Sequence, residues 1–287
     1  MKIDFNKITV ALDLTEMDEI LIRYVDYLAD KLKGVEEVTF FHNIKYDFPE
    51  DVEELINELD KPLADLIRDD ILEKINLNFT SKSISTQVVI TQKDSSSHAI
   101  AENAKSTQSD IILVGKKVNY EGAGIMPGKL LRLTEASVLF LPETAYHNIF
   151  NILNPIDFTA SSLTAYKVAE EIKNRTEANL SCLHIYNIPM NYFPYIPLEK
   201  VRSKVVNSSE KEYQSFLRKA DNSGETNCVF IDSKNRSIAQ SIYNYAFRKH
   251  FDFIVVGARG RTSFVGSVAE GLSNMDMHIP LLIVKKK

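Results

Sequence analysis

The chain has 287 residues, 44% apolar and 25% charged, enough apolar mass for folded cores and inconsistent with a disordered polymer. A formal net charge of −5 argues against a broad electrostatic footprint for nucleic acid, so no nucleic-acid partner is expected. No apolar run approaches the ~20 residues of a membrane helix, and Met1-Lys-Ile-Asp-Phe-Asn6 lacks the apolar core of a secretion signal, so no membrane partner and a cytoplasmic location are expected.

Residues 7–12 read as a strand ending on Asp13, after which Leu21, Tyr24, Val25, Leu28, Ala29 and Leu32 recur on one helical face. Val38-Thr-Phe-Phe-His42 reads as a second strand. Between 46 and 79, Val52, Leu55, Ile56 and Leu59, then Leu63, Leu66 and Ile67 beyond Pro62, fit a kinked helix or two successive helices, with Asp60 as the cap of the second. Asp110-Ile-Ile-Leu-Val-Gly115 and Ser137-Val-Leu-Phe-Leu141 complete the strands of this half.

The pattern then returns. Asp252-Phe-Ile-Val-Val-Gly257 repeats Asp110–Gly115 at an offset of 142, Leu180-Ser-Cys-Leu-His184 repeats Val38–His42, and Ile152-Leu-Asn-Pro-Ile-Asp157 resembles Ile8–Asp13. Two tandem domains are expected, 1–145 and 146–287, with the seam near Pro142–His147. Strands of the second copy are expected at 150–156, 180–186, 227–231, 252–257 and 280–285. Between them lie helical stripes such as Ala165, Val168, Ala169 and Ile172, or Ile238, Ile242 and Tyr245. Ile188–Pro197, with three prolines, reads as a loop. Strands alternating with one-faced helices predict an α/β fold with parallel sheets.

Function is concentrated after the fourth strand of the second copy. Gly257-Ala-Arg-Gly260-Arg-Thr-Ser-Phe-Val-Gly266-Ser267 leads into a helix at Val268, and glycines with unpaired N–H groups at a helix start suit an anion such as a nucleotide phosphate. Arg259 and Arg261 add positive charge. The two cysteines, Cys182 and Cys228, sit in strand-like runs and read as small buried hydrophobes, too few for a metal cluster. No metal-ligand spacing, nucleophile elbow or nucleophile beside a base emerges, so no catalytic or metal residue is assigned.

These features resemble the universal stress protein family over both halves. The resemblance lies in the aspartates Asp13 and Asp157 after the first strands, His42 and His184 at the second strand ends, the aspartate-apolar-Val-Gly fourth strand, and the glycine motif behind it. The ATP-binding branch carries Gly-x2-Gly-x9-Gly followed by Ser or Thr. The second copy has the residue types, Gly257, Gly260, Gly266 and Ser267, but only five residues between Gly260 and Gly266. The first copy keeps the spacing but has Val118 for glycine and Lys129 for the hydroxyl residue.

The resemblance implies two doubly wound domains with sheet order 3-2-1-4-5 and helices on both faces, joined as an intramolecular pseudo-dimer through their last strands and open to further homodimerisation. The implied ligand is ATP or another adenine nucleotide, ADP or AMP, with or without magnesium. Asp157 and the backbone around Ile185 would lie at the adenosine end, and Gly257 and Gly260 along ribose and phosphates. Gly266, Ser267 and Val268 would offer N–H groups and a hydroxyl, with Arg259 nearby. The first site reads as degenerate. The expected function is a nucleotide-binding stress regulator or sensor acting on protein partners, not an enzyme, with at most slow incidental ATP hydrolysis. A nucleotide-free interaction scaffold is the alternative.

Overall fold

Short β-branched runs become strands and the striped stretches between them become helices in the computed structural model, which describes residues 5–45, 52, 55, 56, 58–117, 127–188, 197–221, 226–234, 236–259 and 265–285. Two units divide the chain, 1–148 and 149–286. The first runs β1 (Lys7–Leu12), α1 (Met17–Lys31), β2 (Glu37–Ile44), α2 (Leu63–Asn78), β3 (Ser85–Gln92), α3 (Ser96–Ser106), β4 (Ile111–Lys116), α4 (Pro127–Leu133) and β5 (Ser137–Pro142). Its strands are parallel in the order β3-β2-β1-β4-β5.

The second unit repeats this plan with β6 (Asn151–Pro155), α5 (Ala160–Thr176), β7 (Asn179–Tyr186), α6 (Leu198–Lys219), β8 (Asn227–Asp232), α7 (Ile238–Arg248), β9 (Phe253–Gly257), α8 (Ser267–Asn274) and β10 (Leu281–Val284). The order β8-β7-β6-β9-β10 is again parallel and again 3-2-1-4-5 in the unit's own numbering. The parallel α/β fold expected from the alternation, and the doubly wound order that the resemblance implies, are therefore the fold found. Central strands such as Ile111–Val114 and Phe253–Val256 are buried along their length, which is why they read as unbroken apolar runs.

The aspartate that opens each fourth strand has a structural task. Asp110 Oδ2 accepts the N–H groups of Asn6 and Lys7 at 2.8 and 2.9 Å, ahead of and at the start of β1. Asp252 does the same for Phe150 and Asn151 at 3.0–3.2 Å. Each carboxylate thus ties the beginnings of strands one and four together, so the repeated Asp-apolar motif marks strand alignment.

One expectation fails at α2. Asp60 does not cap it; Pro62 holds the N-cap position with ψ 136 and no side-chain cap bond. Proline disfavours helical backbone at the preceding Lys61, so the helix can only begin beyond it. The loop expected at 188–197 lies largely outside the described residues, as does most of the helical stretch at 46–57.

The two units differ where β6 meets β9. Their register ends at Leu153↔Ile254, whereas the matching β1–β4 register runs on to Ala11↔Val114. Pro155 stands where the first unit has Ala11 and has no N–H to donate. Asn154, fully buried, reaches across instead and donates Nδ2–H to the Val255 carbonyl at 2.7 Å, leaving its own Oδ1 buried without a hydrogen bond. A buried orphan acceptor costs about 1–3 kcal/mol. The paired change Asn154→Val with Pro155→Ala, which installs the first unit's Val10-Ala11, is expected to raise unfolding free energy by about 1–2 kcal/mol in urea titrations. Asn154→Val alone is expected to gain less, because it orphans the Val255 carbonyl. Equal gains from the single and paired changes would contradict this account.

Candidate functional site

In an open parallel sheet, helices leave strands one and four in opposite directions, and a crevice opens beyond their carboxyl ends. In the second unit this place holds a cavity of ≈ 460 Å³, within the usual range for small-molecule sites. One wall is apolar, formed by Ile156, Leu183, Ile185, Ile238 and Ile242. The other carries Asp157, Ser162, Arg259 and the first turn of α8. Of the residues singled out in the sequence, Asp157, Ile185, Gly257, Arg259, Gly266, Ser267 and Val268 all line this cavity. Gly260 and Arg261 lie outside the described residues, as does most of the contracted stretch before Gly266.

Asp157 is set by a local turn. The N–H and hydroxyl of Thr159 donate to its Oδ1 at 3.1 and 2.6 Å, and Thr159 then caps α5 by accepting from the Ser162 N–H. Oδ2 accepts no hydrogen bond from the described residues. Phe158 between them has φ 61, a left-handed conformation that is strained for a bulky residue. Its ring stacks on His184 at 4.5 Å and meets Phe216 edge-on at 6.0 Å, which holds it there. His184 donates Nδ1–H to the Ile156 carbonyl at 2.9 Å, pinning the end of β7 to the end of β6. The strand-end histidine is a structural clamp.

Helix α8 begins at Ser267 with Gly266 as an N-cap that supplies no side-chain bond. The first intrahelical bond is Glu270 N–H to the Gly266 carbonyl, so the N–H groups of Ser267, Val268 and Ala269 find no acceptor among the described residues. All three residues line the cavity. The helix dipole places partial positive charge at the same point.

One sequence expectation is corrected here. Gly266 does not offer its N–H to a ligand, because that group donates to the Ala258 carbonyl at 2.7 Å; Ala269 supplies the third open amide, at a position that carries no residue-type signal. Gly257 lines the cavity and has a packing role as well. A Cβ there would lie 2.6 Å from Ser161 Oγ and 2.8 Å from the Ser161 carbonyl oxygen, so the missing side chain lets α5 press onto the end of β9. Ser161 Oγ in turn accepts the Arg259 N–H at 3.1 Å.

The first unit has the same turn with a different filling. Thr15 donates twice to Asp13 Oδ1, Leu14 has φ 62, and His42 donates Nδ1–H to the Leu12 carbonyl at 3.0 Å. Asp13 Oδ2, however, is paired with Lys117 Nζ at 2.9 Å. Burial alone would raise the Asp13 pKa, but Thr15 and Lys117 outweigh it and hold the carboxyl below its ordinary range. Lys129 Nζ donates to Ser95 Oγ at 3.1 Å, and Met17 lies against Gly115. Asp18 stands where the second unit has Ser162, and its buried carboxylate accepts the N–H groups of Asp13 and Leu14 at 2.9 and 3.0 Å, with Lys74 Nζ at 3.6 Å. Burial pushes Asp18 up to about 6 despite these donors. Burial also lowers His42.

Gly257→Ala is expected to cost about 1–3 kcal/mol of unfolding free energy, since backbone must move, whereas Gly115→Ala meets only the Met17 side chain and should cost less than half as much. Equal costs would refute the packing role of Gly257. Asp18 in the folded state holds its proton more tightly than in the unfolded chain. Its contribution is therefore full below its unfolded pKa near 4 and lost as pH rises through about 6. His42 acts in the opposite sense over a neighbouring range, so the wild-type curve is flattened. The Asp18→Asn variant isolates the first effect: its stability relative to wild type should rise between pH 4 and 7 by on the order of 3 kcal/mol, read from denaturant unfolding at each pH. A pH-independent difference would refute it.

Residues 148–285 match the universal stress protein family. In fold, the whole chain is similar to a functionally unknown protein from Pseudomonas aeruginosa, with TM-score 0.69 and 13% identity over 98% of this chain and 92% of that one. It is also similar to a putative universal stress protein from Pseudomonas aeruginosa (0.67, 15% identity, 98% and 93% covered). A universal stress protein from Archaeoglobus fulgidus is similar as well (0.63, 16% identity, 99% and 97% covered). A comparison with curated protein sequences returns no match. Among the described residues no helix is long and apolar enough to cross a membrane. The second unit therefore belongs to the universal stress protein family, and the first unit repeats its parallel strands and sheet order.

Proposed function

We propose that the second unit binds an adenine nucleotide, ATP, ADP or AMP, with or without magnesium, and that occupancy sets how the protein engages its partners as a stress regulator in the cytoplasm. The observation that carries this reading is the pairing of two unlike surfaces in one cavity. Three open amides at a helix start, Ser267, Val268 and Ala269, suit phosphate oxygens, while Ile156, Leu183, Ile185, Ile238 and Ile242 suit a flat apolar base. Oδ2 of Asp157, on the lining of the same cavity, suits ribose hydroxyls. The first unit is proposed to be nucleotide-free, because Lys117 already neutralises Asp13. Binding without productive turnover is proposed, with the Asp157 carboxylate serving recognition and hydrolysis slow and incidental.

Thermal melting with ATP, ADP and AMP, each with and without magnesium, tests this. A nucleotide at 100 times its dissociation constant should stabilise the protein by about 2.7 kcal/mol. Ser267→Pro provides the sharper probe. Proline is tolerated at the first helical position, and Gly266, with φ −68 and ψ 143, already has the extended backbone a following proline requires. The variant removes one open amide and the hydroxyl, and should weaken binding about tenfold or more without lowering the melting temperature of the free protein. Asp13→Asn in the first unit should leave binding unchanged. Absence of a shift with every nucleotide would overturn the reading in favour of a nucleotide-free scaffold.

A further inference from the structure

The two cysteines, 46 residues apart in sequence, are brought side by side. Cys182 on β7 and Cys228 on β8 are direct register partners in the parallel ladder. Register partners on neighbouring strands project from the same face, with backbones about 4.8 Å apart, inside the window of about 4.4–6.8 Å between the Cα atoms of a disulfide. Both remain free thiols, Cys182 fully buried and Cys228 half-buried. We propose that this pair is an oxidation site, converted by a peroxide into an intramolecular disulfide that joins β7 to β8. Cys228, the more accessible, attacks the peroxide and becomes a sulfenic acid with release of one water. The Cys182 sulfur then displaces the sulfenic oxygen as a second water. Two thiols lose two electrons and two hydrogens, and the peroxide accepts them.

The site is built into a larger cluster. One step along the same face of these strands, His184 is the register partner of Phe230, and the two rings lie 6.0 Å apart. Tyr213 packs on Phe230 and on Phe216, and its hydroxyl donates to the Thr226 carbonyl at 2.6 Å. His184 and Phe216 are the groups that hold Phe158 beside Asp157. The bond would therefore form within the aromatic packing that supports the cavity turn. Burial raises both thiols, Cys182 to about 12, which keeps the thiolate scarce and the reaction slow at neutral pH. Such a pair responds to sustained exposure to oxidant, and faster as pH rises.

The test treats the full chain with hydrogen peroxide under native conditions, then denatures it, alkylates remaining thiols and measures intact mass and cross-linked peptides. The expected product has lost two hydrogens, takes up no alkylating agent, and yields one peptide pair joining Cys182 to Cys228, restored by reductant. Cys182→Ser should instead accumulate sulfenic or sulfinic acid on Cys228, and Cys228→Ser should leave Cys182 reduced. Circular dichroism checks that each variant is folded, and serine is close enough in size to be accommodated. Intermolecular dimers, over-oxidation of both thiols without the cross-link, or full alkylation of both cysteines after treatment would each overturn the proposal.

Discussion

The second unit depends on a close approach between the first turn of α5 and the last residue of β9. Gly257 has no side chain to hold them apart, and the Ser161 backbone occupies the space a Cβ would need. That contact fixes Thr159 and so the carboxylate of Asp157, while Ser161 Oγ fixes the Arg259 amide as the chain leaves the strand. Farther on, Gly266 N–H returns to Ala258 and sets the start of α8. Each polar element of the cavity is thus referred to one strand end.

Holding Phe158 in the left-handed region costs about 1–2 kcal/mol, and the surrounding rings offset it. The stack on His184 and the edge contact with Phe216 contribute about 0.5–1.5 kcal/mol each beyond area burial. The first unit keeps the same conformation at Leu14 without an aromatic stack, and anchors its turn through the Asp18 carboxylate instead. One backbone shape therefore persists with the Asp-Thr turn and the strand-end histidine in common, while the remaining support, an aromatic stack in one unit and a buried carboxylate in the other, is exchangeable.

Much of the fold was legible because its signals are repeated physical necessities. Buried parallel strands must be continuously apolar, and the aspartate opening each fourth strand must hold the start of the first, so the offset between Asp110 and Asp252 exposed the tandem plan. The site was legible in position but not in mechanism. Glycine at 257 looks the same in sequence whether it admits a ligand or a helix, and only the location of Ser161 reveals the packing role. Ala269 carried no signal, since an open amide depends on place in the helix and not on residue type. Asn154 and Pro155 became meaningful only once the shortened β6–β9 ladder was visible. The cysteines read as packing residues because register between strands is not encoded by spacing along the chain.

The asymmetry between the units follows from what stands at the aligned positions 18 and 162, in the first turn of each strand-one helix. In the first unit Asp18 supplies an internal anion that takes the amides of Asp13 and Leu14, and Lys117 supplies an internal cation that takes the remaining oxygen of Asp13. The groups able to receive a ligand are thereby satisfied within the protein, and a negatively charged ligand would meet the Asp18 charge. In the second unit Ser162 carries no charge, turns its hydroxyl to the Thr159 carbonyl, and leaves the Asp157 and Phe158 amides without an acceptor among the described residues. Such half-exposed groups, closed in one copy and open in the other, are left to form hydrogen bonds outside the turn. The first unit shows how the same turn satisfies these groups from within the protein.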